Sequence, residues 1–324
     1  MGSKTGTREQ MNQWGGSGTP FLFIIDFEQY NPLIFRLDTV DPKNLLYNIN
    51  GVSNLSDRTK PQVKPALIKY PLSFDDYLLK FNIVKKEIDS GNSYLLNLTC
   101  STHIDINLSL KEVFCVSNSK YRIWLDEQFV CFSPETFVTI SEGVIRSFPM
   151  KGTIDAGISE ARKMILDDPK EKAEHYTIVD LIRNDLSMVS ESVRVERFRY
   201  FDVIRTNDKH LLQVSSEICG DLHEDYLSHI GDIIFKLLPA GSVSGAPKRK
   251  TTEIIAEVEG NNRGFYTGVF GLFDGKNLDS AVMIRYIEKK NCKYYYRSGG
   301  GITAFSDPLS EYEEMIDKIY VPAV

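Results

Sequence analysis

Two segments of the sequence each carry a pair of glutamates spaced three residues apart, shortly after an Asp-Pro dipeptide. Aspartate is a favoured N-cap and proline suits the first helical position, so each dipeptide predicts the start of a helix. Side chains three residues apart then project from one helix face. The glutamates are Glu171, Glu174, Glu311 and Glu314. Four carboxylates that meet would offer the oxygen ligands that Mg²⁺ prefers, whereas carboxylates on separate helices would only complement the helix dipoles.

Lys151 stands in the segment 149–153 (PMKGT), between proline and glycine residues that favour an unusual backbone. Such a backbone can aim the lysine side chain into the protein. A lysine that is buried or flanked by other cations loses its proton and becomes a nucleophile. An exposed loop lysine is the alternative interpretation.

Two glycine-bearing segments and one arginine could bind an anionic ligand. The segment 239–248 (PAGSVSGAPK) leads into a predicted helix and offers backbone N–H groups and hydroxyls to an anion. The glycines of 298–302 (SGGGI) follow a predicted strand and let a ligand approach the backbone, unless they only form a loose hairpin. Arg285 lies in the apolar run 281–288 (AVMIRYIE), which predicts one continuous strand. A buried arginine needs an anionic partner, either a ligand carboxylate or a structural acid.

The composition excludes several classes of protein. The chain has 324 residues, of which 42% are hydrophobic and 25% charged, as in soluble globular proteins. Its net charge of -6 argues against nucleic-acid binding, and no apolar run is long enough to span a membrane. The five cysteines are scattered, which favours reduced thiols over disulfides or a zinc site. We expect a cytoplasmic enzyme.

The predicted elements indicate an α+β fold. Strand-like runs follow one another and helices interrupt them irregularly, without the βαβ alternation of Rossmann or TIM folds. Residues 1–18 are polar and rich in Gly and Ser, so we expect a disordered tail there and a single domain over 19–324. The principal helices are predicted over 74–88, 159–166, 169–186, 226–238, 246–258 and 308–319. Strands near the candidate residues are predicted over 94–99, 136–141, 193–203, 211–220, 266–273, 280–288 and 293–298.

Together, ordered motifs between about residues 70 and 322 resemble the chorismate-utilising enzymes. This family includes anthranilate synthase component I, aminodeoxychorismate synthase component I, isochorismate synthase and salicylate synthase. The motifs are SPETF (133–137), PMKGT (149–153), KEKAEHYTIVDLIRNDL (170–186), PAGSVSGAPK (239–248), RGFYTG (263–268), Arg285, GGGIT (299–303) and SDPLSEYEEMIDK (306–318). The resemblance implies an anthranilate-synthase-like fold of two large packed antiparallel sheets with surrounding helices and the active site between the sheets.

The resemblance also implies roles for individual residues. It implies that Mg²⁺ is held by Glu171, Glu174, Glu311 and Glu314. It implies substrate binding by Arg285, Tyr266, Ser244, Gly299, Gly301, Lys318 and Thr153. It places Lys151, Glu135 and His175 among the catalytic residues, with Glu135 as the general acid that protonates the leaving C4 hydroxyl of chorismate.

Two positions distinguish branches of the family. Lys151 resembles the lysine with which aminodeoxychorismate synthases attack C2 of chorismate, where anthranilate synthases usually carry alanine. Leu95 stands where water-using members carry a lysine and amine-forming members usually carry glutamine. Leucine cannot activate water, which disfavours isochorismate and salicylate synthesis.

The resemblance is therefore strongest to aminodeoxychorismate synthase component I, an enzyme of para-aminobenzoate and folate biosynthesis. It implies conversion of chorismate and ammonia to 4-amino-4-deoxychorismate, with the ammonia supplied by a glutamine amidotransferase subunit. Anthranilate synthase component I and a non-catalytic chorismate-binding module are the alternatives.

Overall fold

In a computed structural model, which describes residues 3–55, 63–205 and 210–322, two large antiparallel sheets pack face to face. The helices are α1 (Lys4–Gly16), α2 (Phe74–Asp89), α3 (Leu110–Val116), α4 (Ala161–Asp167), α5 (Pro169–Ser187), α6 (Ile230–Leu237), α7 (Lys248–Glu259) and α8 (Pro308–Asp317). The strands are β1 (Phe21–Ile25), β2 (Leu33–Arg36), β3 (Leu45–Ile49), β4 (Val52–Ser53), β5 (Leu67–Tyr70), β6 (Leu95–Ile106), β7 (Tyr121–Leu125), β8 (Phe129–Ser133), β9 (Thr136–Ser141), β10 (Val144–Ser147), β11 (Met150–Asp155), β12 (Glu191–Arg205), β13 (His210–Asp221), β14 (Gly245–Ala246), β15 (Val269–Phe273), β16 (Leu278–Val282), β17 (Tyr286–Lys290) and β18 (Lys293–Ile302).

The first sheet has the strand order β11-β13-β10-β9-β16-β15-β1-β2, with β12 also paired to β13. The second sheet has the order β14-β6-β18-β17-β8-β7-β3-β4, with β5 also paired to β6. All the strand pairs are antiparallel in the described part of the chain, which confirms the predicted fold class. None of the helices in that part is long and apolar enough to cross a membrane.

Strand β1 shows why the middle strands are apolar throughout. Its five residues are all buried because both of its faces are covered. Phe21, Phe23 and Ile25 pack in a cluster with residues of α1, α5 and α6, whereas Leu22 and Ile24 pack in the cluster between the two sheets. Because successive side chains of β1 point to opposite faces of the sheet, this strand contributes to the core on both sides of the sheet. Helices α2, α7 and α8 cover the outer face of the second sheet.

The predicted disordered tail over residues 1–18 is wrong for residues 4–16, which form helix α1. The Ser3 hydroxyl caps the helix by accepting from the Gly6 N–H. One face of the helix (Thr7, Met11 and Gly15) is buried against α6 and the 3₁₀ turn that precedes it. These three residues are spaced by four, a periodicity that the polar and glycine-rich composition obscures.

The predicted strand over 280–288 is also corrected. It is two strands in different sheets, since β16 ends at Val282 in the first sheet and β17 starts at Tyr286 in the second. Arg285 lies in this crossover with φ 54°, in the left-handed region that a residue in a regular strand does not adopt. The three glycines expected after a strand lie within β18, paired with β6. Polypeptide from both sheets therefore meets at one place.

The packing of α1 predicts different effects for two glycine substitutions in the same helix. A Cβ atom at Gly15 would lie 2.1 Å from the carbonyl oxygen of Leu227, whereas one at exposed Gly6 would meet only the Ser3 hydroxyl at 3.2 Å. Gly15→Ala should lower the free energy of unfolding by about 1–3 kcal/mol. Gly6→Ala should leave it unchanged or raise it by up to about 1 kcal/mol, since alanine favours helix. Urea unfolding measures both, and equal values would contradict the docking of α1.

Candidate active site

A cavity of about 250 Å³ lies where the chain crosses from the first sheet to the second at Arg285. It is lined by β11 and β13 of the first sheet and by β6 and β18 of the second. Helices α5 and α8 each add a wall. The cavity brings together these predicted site residues: Lys151, Glu135, Arg285, Tyr266, Gly299, Gly301, Lys318 and Glu314. Residues far apart in the sequence thus converge on one chamber.

The cavity is rich in positive charge although the chain as a whole is acidic. Its ionisable lining residues comprise four cations and two carboxylates: Lys151, Arg285, Arg297, Lys318, Glu135 and Glu314. A chamber lined by one sign of charge concentrates ligands of the opposite sign. The lining therefore suits a small ligand with more than one negative charge.

Lys151 points into this chamber from β11. The β-bulge between Lys151 and Thr153 and the left-handed Gly152 (φ 73°) reorient the strand there, as the flanking glycine predicts. The lysine Nζ lies 3.3 Å from Oε2 of Glu174 and 3.4 Å from where a Cβ of Gly301 would stand. A Cβ at position 301 would be in ordinary van der Waals contact with the amine, and its tight contact, at 3.0 Å, would be with Cδ1 of Leu95. Leu95, which is 3% exposed, approaches the same glycine and presents a methyl group beside the lysine.

Glu135 is a partly buried carboxyl that faces three cations. The Ser242 hydroxyl donates a hydrogen bond to its Oε1. Burial raises the pKa of Glu135 above its usual value, while the Ser242 hydroxyl and the positive charges of Lys151, Arg285 and Lys318 oppose that rise. Burial has the larger effect, so the pKa is raised and the carboxyl retains its proton to a higher pH than an exposed glutamate. Such a group can serve as a general acid.

The two acidic helix starts form as predicted. Asp168 accepts from the Glu171 N–H at 2.9 Å, and Asp307 accepts from the Ser310 N–H at 2.9 Å. Each of the two helices, α5 and α8, places a glutamate towards the glycine segment of β18. Glu174 pairs with Lys151, whose amine lies at Gly301, and Oε2 of Glu311 lies 3.2 Å from where a Cβ of Gly300 would stand.

The glutamates of the two helices do not form a compact metal site within the described residues. Glu174 and Glu311 are buried, Glu314 pairs with Lys318 at 2.6 Å, and Glu311 accepts from the Ser306 hydroxyl at 2.7 Å. Within residues 3–55, 63–205 and 210–322, no group of three or more His, Cys, Asp or Glu side chains is arranged to hold a metal ion. The donor chemistry, two glutamates from each helix, suits Mg²⁺.

The predicted site residues His175 and Ser244 do not line the cavity. His175 is buried, and its Nε2 lies 2.7 Å from the Ser216 hydroxyl rather than in the cavity lining. Burial, helped by the Arg199 and Lys151 cations, lowers the pKa of His175 to about 4, so the ring is neutral at physiological pH. Ser244 is also behind the lining and donates to the Ala240 carbonyl at 2.8 Å. The side chain of Thr153 lies outside what the structure describes.

A family model for chorismate binding enzymes matches residues 36–323. The chain belongs to the chorismate binding enzyme family. Aminodeoxychorismate synthase component 1 of Bacillus subtilis is 31% identical over 301 residues, covering 87% of this chain and 63% of the relative. An uncharacterized PabA-like protein of Haemophilus influenzae is 50% identical over 314 residues, covering 97% of this chain and 95% of the relative.

A solved structure is also similar to this chorismate binding enzyme. Anthranilate synthase component I from Streptococcus pneumoniae TIGR4 has 26% sequence identity and a TM-score of 0.65, covering 78% of this chain and 58% of that one. The expected family and its fold of two antiparallel sheets are confirmed. The relatives carry the names of two different reactions, so the reaction has to be argued from the residues in the cavity.

Five polar residues that line the cavity of this family member were not among the predicted site residues: Asn97, Gln213, Ser242, Arg297 and Ser298. Ser242 and Ser298 lie inside motifs already singled out, but their own roles depend on which side of the strand or loop faces the chamber. Arg297 is 6% exposed, and its guanidinium lies over the Tyr266 ring at 5.2 Å. Its strand also contains three tyrosines and a lysine, so no charge pattern distinguishes it in the sequence.

Arg263 holds two walls of the cavity together from behind. Its guanidinium is fully buried and donates to the carbonyls of Val243 at 2.7 Å and Asn97 at 2.6 Å, both of which are lining residues. It also forms two hydrogen bonds to Glu259, at 2.6 and 2.9 Å. Glu259 in turn accepts from the Thr99 N–H and hydroxyl, both at 2.9 Å. One ion pair thus joins β6, helix α7 and the loop before β14.

This arrangement predicts a large effect for Arg263→Met. The substitution leaves the Glu259 carboxylate buried without its cation, so the free energy of unfolding should fall by about 3–5 kcal/mol. Arg249→Met is the matched control, because Arg249 and Glu253 have the same spacing in α7 but are 95% and 54% exposed. The control should change the unfolding free energy by less than about 1 kcal/mol. Similar losses in urea unfolding for the two variants would contradict the role given to Arg263.

Proposed function

We propose that this chorismate binding enzyme converts chorismate and ammonia to 4-amino-4-deoxychorismate. The observation that carries the proposal is the position of the Lys151 amine, in one cavity with the Glu135 carboxyl and an excess of cations. A lysine at this place is what the resemblance to aminodeoxychorismate synthases implies for a nucleophile. The similarity to the Bacillus subtilis enzyme supports the same reaction.

Substrate binding follows from charge. Chorismate carries two carboxylates, and the cavity offers the cations of Arg285, Arg297 and Lys318 besides Lys151. Arginine forks can bind a carboxylate through two parallel hydrogen bonds. Glu288, whose Oε1 lies 3.4 Å from Nη1 of Arg297, and the Tyr266 ring at 5.2 Å together position that guanidinium. Gly299 and Gly301 let the ring lie close to the strand, since neither has a side chain.

The proposed reaction has two steps. Lys151 attacks C2 of the ring and the double bonds shift, so that the C4–O bond breaks and the oxygen leaves as water with the proton of Glu135. Ammonia then forms a bond to C4 and the electrons shift back, which breaks the C2–N bond and releases the lysine. Splitting one difficult substitution into two easier ones is the advantage of covalent catalysis. Lys151 has to lose its ammonium proton before attack, and in the resting protein its Nζ lies 3.3 Å from Oε2 of Glu174.

We further propose that Glu171, Glu174, Glu311 and Glu314 hold Mg²⁺. The ion would neutralise one substrate carboxylate when bound. The residues of this chain would keep their own tasks, namely orienting the ring, supplying the proton of Glu135 and presenting the amine of Lys151. The assignment rests on the donor chemistry of four carboxylates carried by the N-terminal turns of α5 and α8, since oxygen ligands of this kind are the ones that Mg²⁺ prefers.

The ammonia would come from a glutamine amidotransferase subunit, and free ammonium would replace it in vitro. Anthranilate synthesis is the second candidate, favoured by the structural similarity to anthranilate synthase component I. That reaction would make Lys151 a bystander. The position of Lys151 in the cavity lining, together with Glu135, favours the 4-amino product.

The proposal predicts the behaviour of Lys151→Ala. Without the amine the covalent route is lost, so formation of 4-amino-4-deoxychorismate from chorismate and ammonium should fall by at least about 100-fold. Product analysis by chromatography and mass spectrometry measures the change and detects any anthranilate formed instead. Lys163→Ala, at an exposed lysine of α4, should retain wild-type activity. Full activity of Lys151→Ala would refute the nucleophile.

The environment of Glu135 predicts a pH effect. A general acid must be protonated, so kcat/KM should fall as the pH rises through the Glu135 pKa. The Ser242 hydroxyl stabilises the carboxylate and lowers that pKa. Ser242→Ala should therefore raise the Glu135 pKa and move the alkaline limb of the pH profile to higher pH. A limb that stays in place or moves to lower pH would contradict this role.

A further inference from the structure

Ser298 is a buried polar residue with an unexplained hydroxyl. It lies in β18 opposite Cys100 of β6, is 3% exposed, and lines the cavity. Its Oγ has no hydrogen-bond partner among the residues that the structure describes. Burying a hydroxyl without a partner is unfavourable, so native proteins seldom do so without a functional reason.

The surroundings of Ser298 indicate what the missing partner is. The Arg285 Nε, on the same cavity, is likewise buried and without a partner in the described part of the chain. The Arg285 guanidinium stacks on the Tyr320 ring at 5.2 Å, and none of the ion pairs formed by described residues includes it. The ammonium of Lys318 donates to the carbonyl of Gly299, the neighbour of Ser298. The cavity that Ser298 lines thus holds hydrogen-bond donors and four cations against two carboxylates, Glu135 and Glu314.

An acceptor with negative charge fits this set of donors. A carboxylate has about four acceptor sites and can take hydrogen bonds from a guanidinium and a hydroxyl together. A neutral hydroxyl would leave the positive charge of the cations uncompensated. A cation would add to that charge and would accept no hydrogen bond from the donors. The chemistry around Ser298 therefore selects a carboxylate.

We propose that Ser298 is a substrate-binding residue whose hydroxyl donates to the carboxylate that Arg285 binds. This inference rests on the proposed function, because it takes chorismate as the ligand. The bond supplies the partner that the buried hydroxyl lacks among the described residues, so it contributes to affinity. Ser298 makes no chemical step and should affect binding of substrate and transition state alike.

Thr102 offers a matched control on the neighbouring strand β6. Its hydroxyl is also buried, at 0% exposure, and without a partner in the described residues, but it does not line the cavity. Ser298→Ala and Thr102→Val each remove such a hydroxyl with little change of shape. Because neither hydroxyl has a hydrogen-bond partner in the described part of the chain, both variants should unfold at the same temperature as the wild type or higher.

Chorismate binding by the purified chain then tests the inference. Titration calorimetry with chorismate and Mg²⁺ should show a Kd about tenfold higher for Ser298→Ala and unchanged for Thr102→Val. Steady-state kinetics should show a higher KM with kcat nearly unchanged for Ser298→Ala. A wild-type Kd for Ser298→Ala would overturn the inference and leave the proposed function standing. Failure of the wild-type chain itself to bind chorismate would overturn the proposed function and this inference with it.

Discussion

The buried ion pair between Arg263 and Glu259 is the interaction on which the cavity most depends. A guanidinium with no solvent exposure costs much free energy to bury. Four hydrogen bonds to carbonyls and the carboxylate, and a longer one to the Thr267 hydroxyl, offset that cost. The carbonyls belong to the loop that carries Ser242 and to the strand that faces the glycines of β18. Through Ser242 the pair fixes Glu135, and through β6 it fixes the strand against which Lys151 is presented.

The second constraint is electrostatic. An acidic chain gathers four cations at the crossover between its sheets, and two glutamates moderate them from the helices, Glu174 at Lys151 and Glu314 at Lys318. These pairings keep the lysines in place. A dianionic substrate would compete for the same cations, which links substrate binding to the positions of the carboxylates. Binding and acid–base groups therefore share one network.

Much of the fold and part of the site could be predicted from the sequence. The α+β class, helices α2, α5 and α8, both Asp-Pro helix starts and the grouping of Lys151, Glu135 and Arg285 follow from local patterns and a family resemblance. Helix α1 could not be predicted, because its formation depends on the burial of only three of its residues against the rest of the protein. The crossover at Arg285 could not be predicted, because an apolar run has the same sequence pattern whether its residues form one strand or two strands in different sheets. Ser242, Ser298 and Arg263 depend on contacts distant in sequence, which no local pattern encodes.

The most direct test of the account is to identify the product that the purified chain makes from chorismate, ammonium and Mg²⁺. Free ammonium removes the need for an amidotransferase subunit, so the result reports on this chain alone. Mass spectrometry with ¹⁵N-labelled ammonium distinguishes the possible products. The account predicts labelled 4-amino-4-deoxychorismate, formed with Mg²⁺ and lost when the metal is chelated. Anthranilate, isochorismate or unchanged chorismate would contradict it.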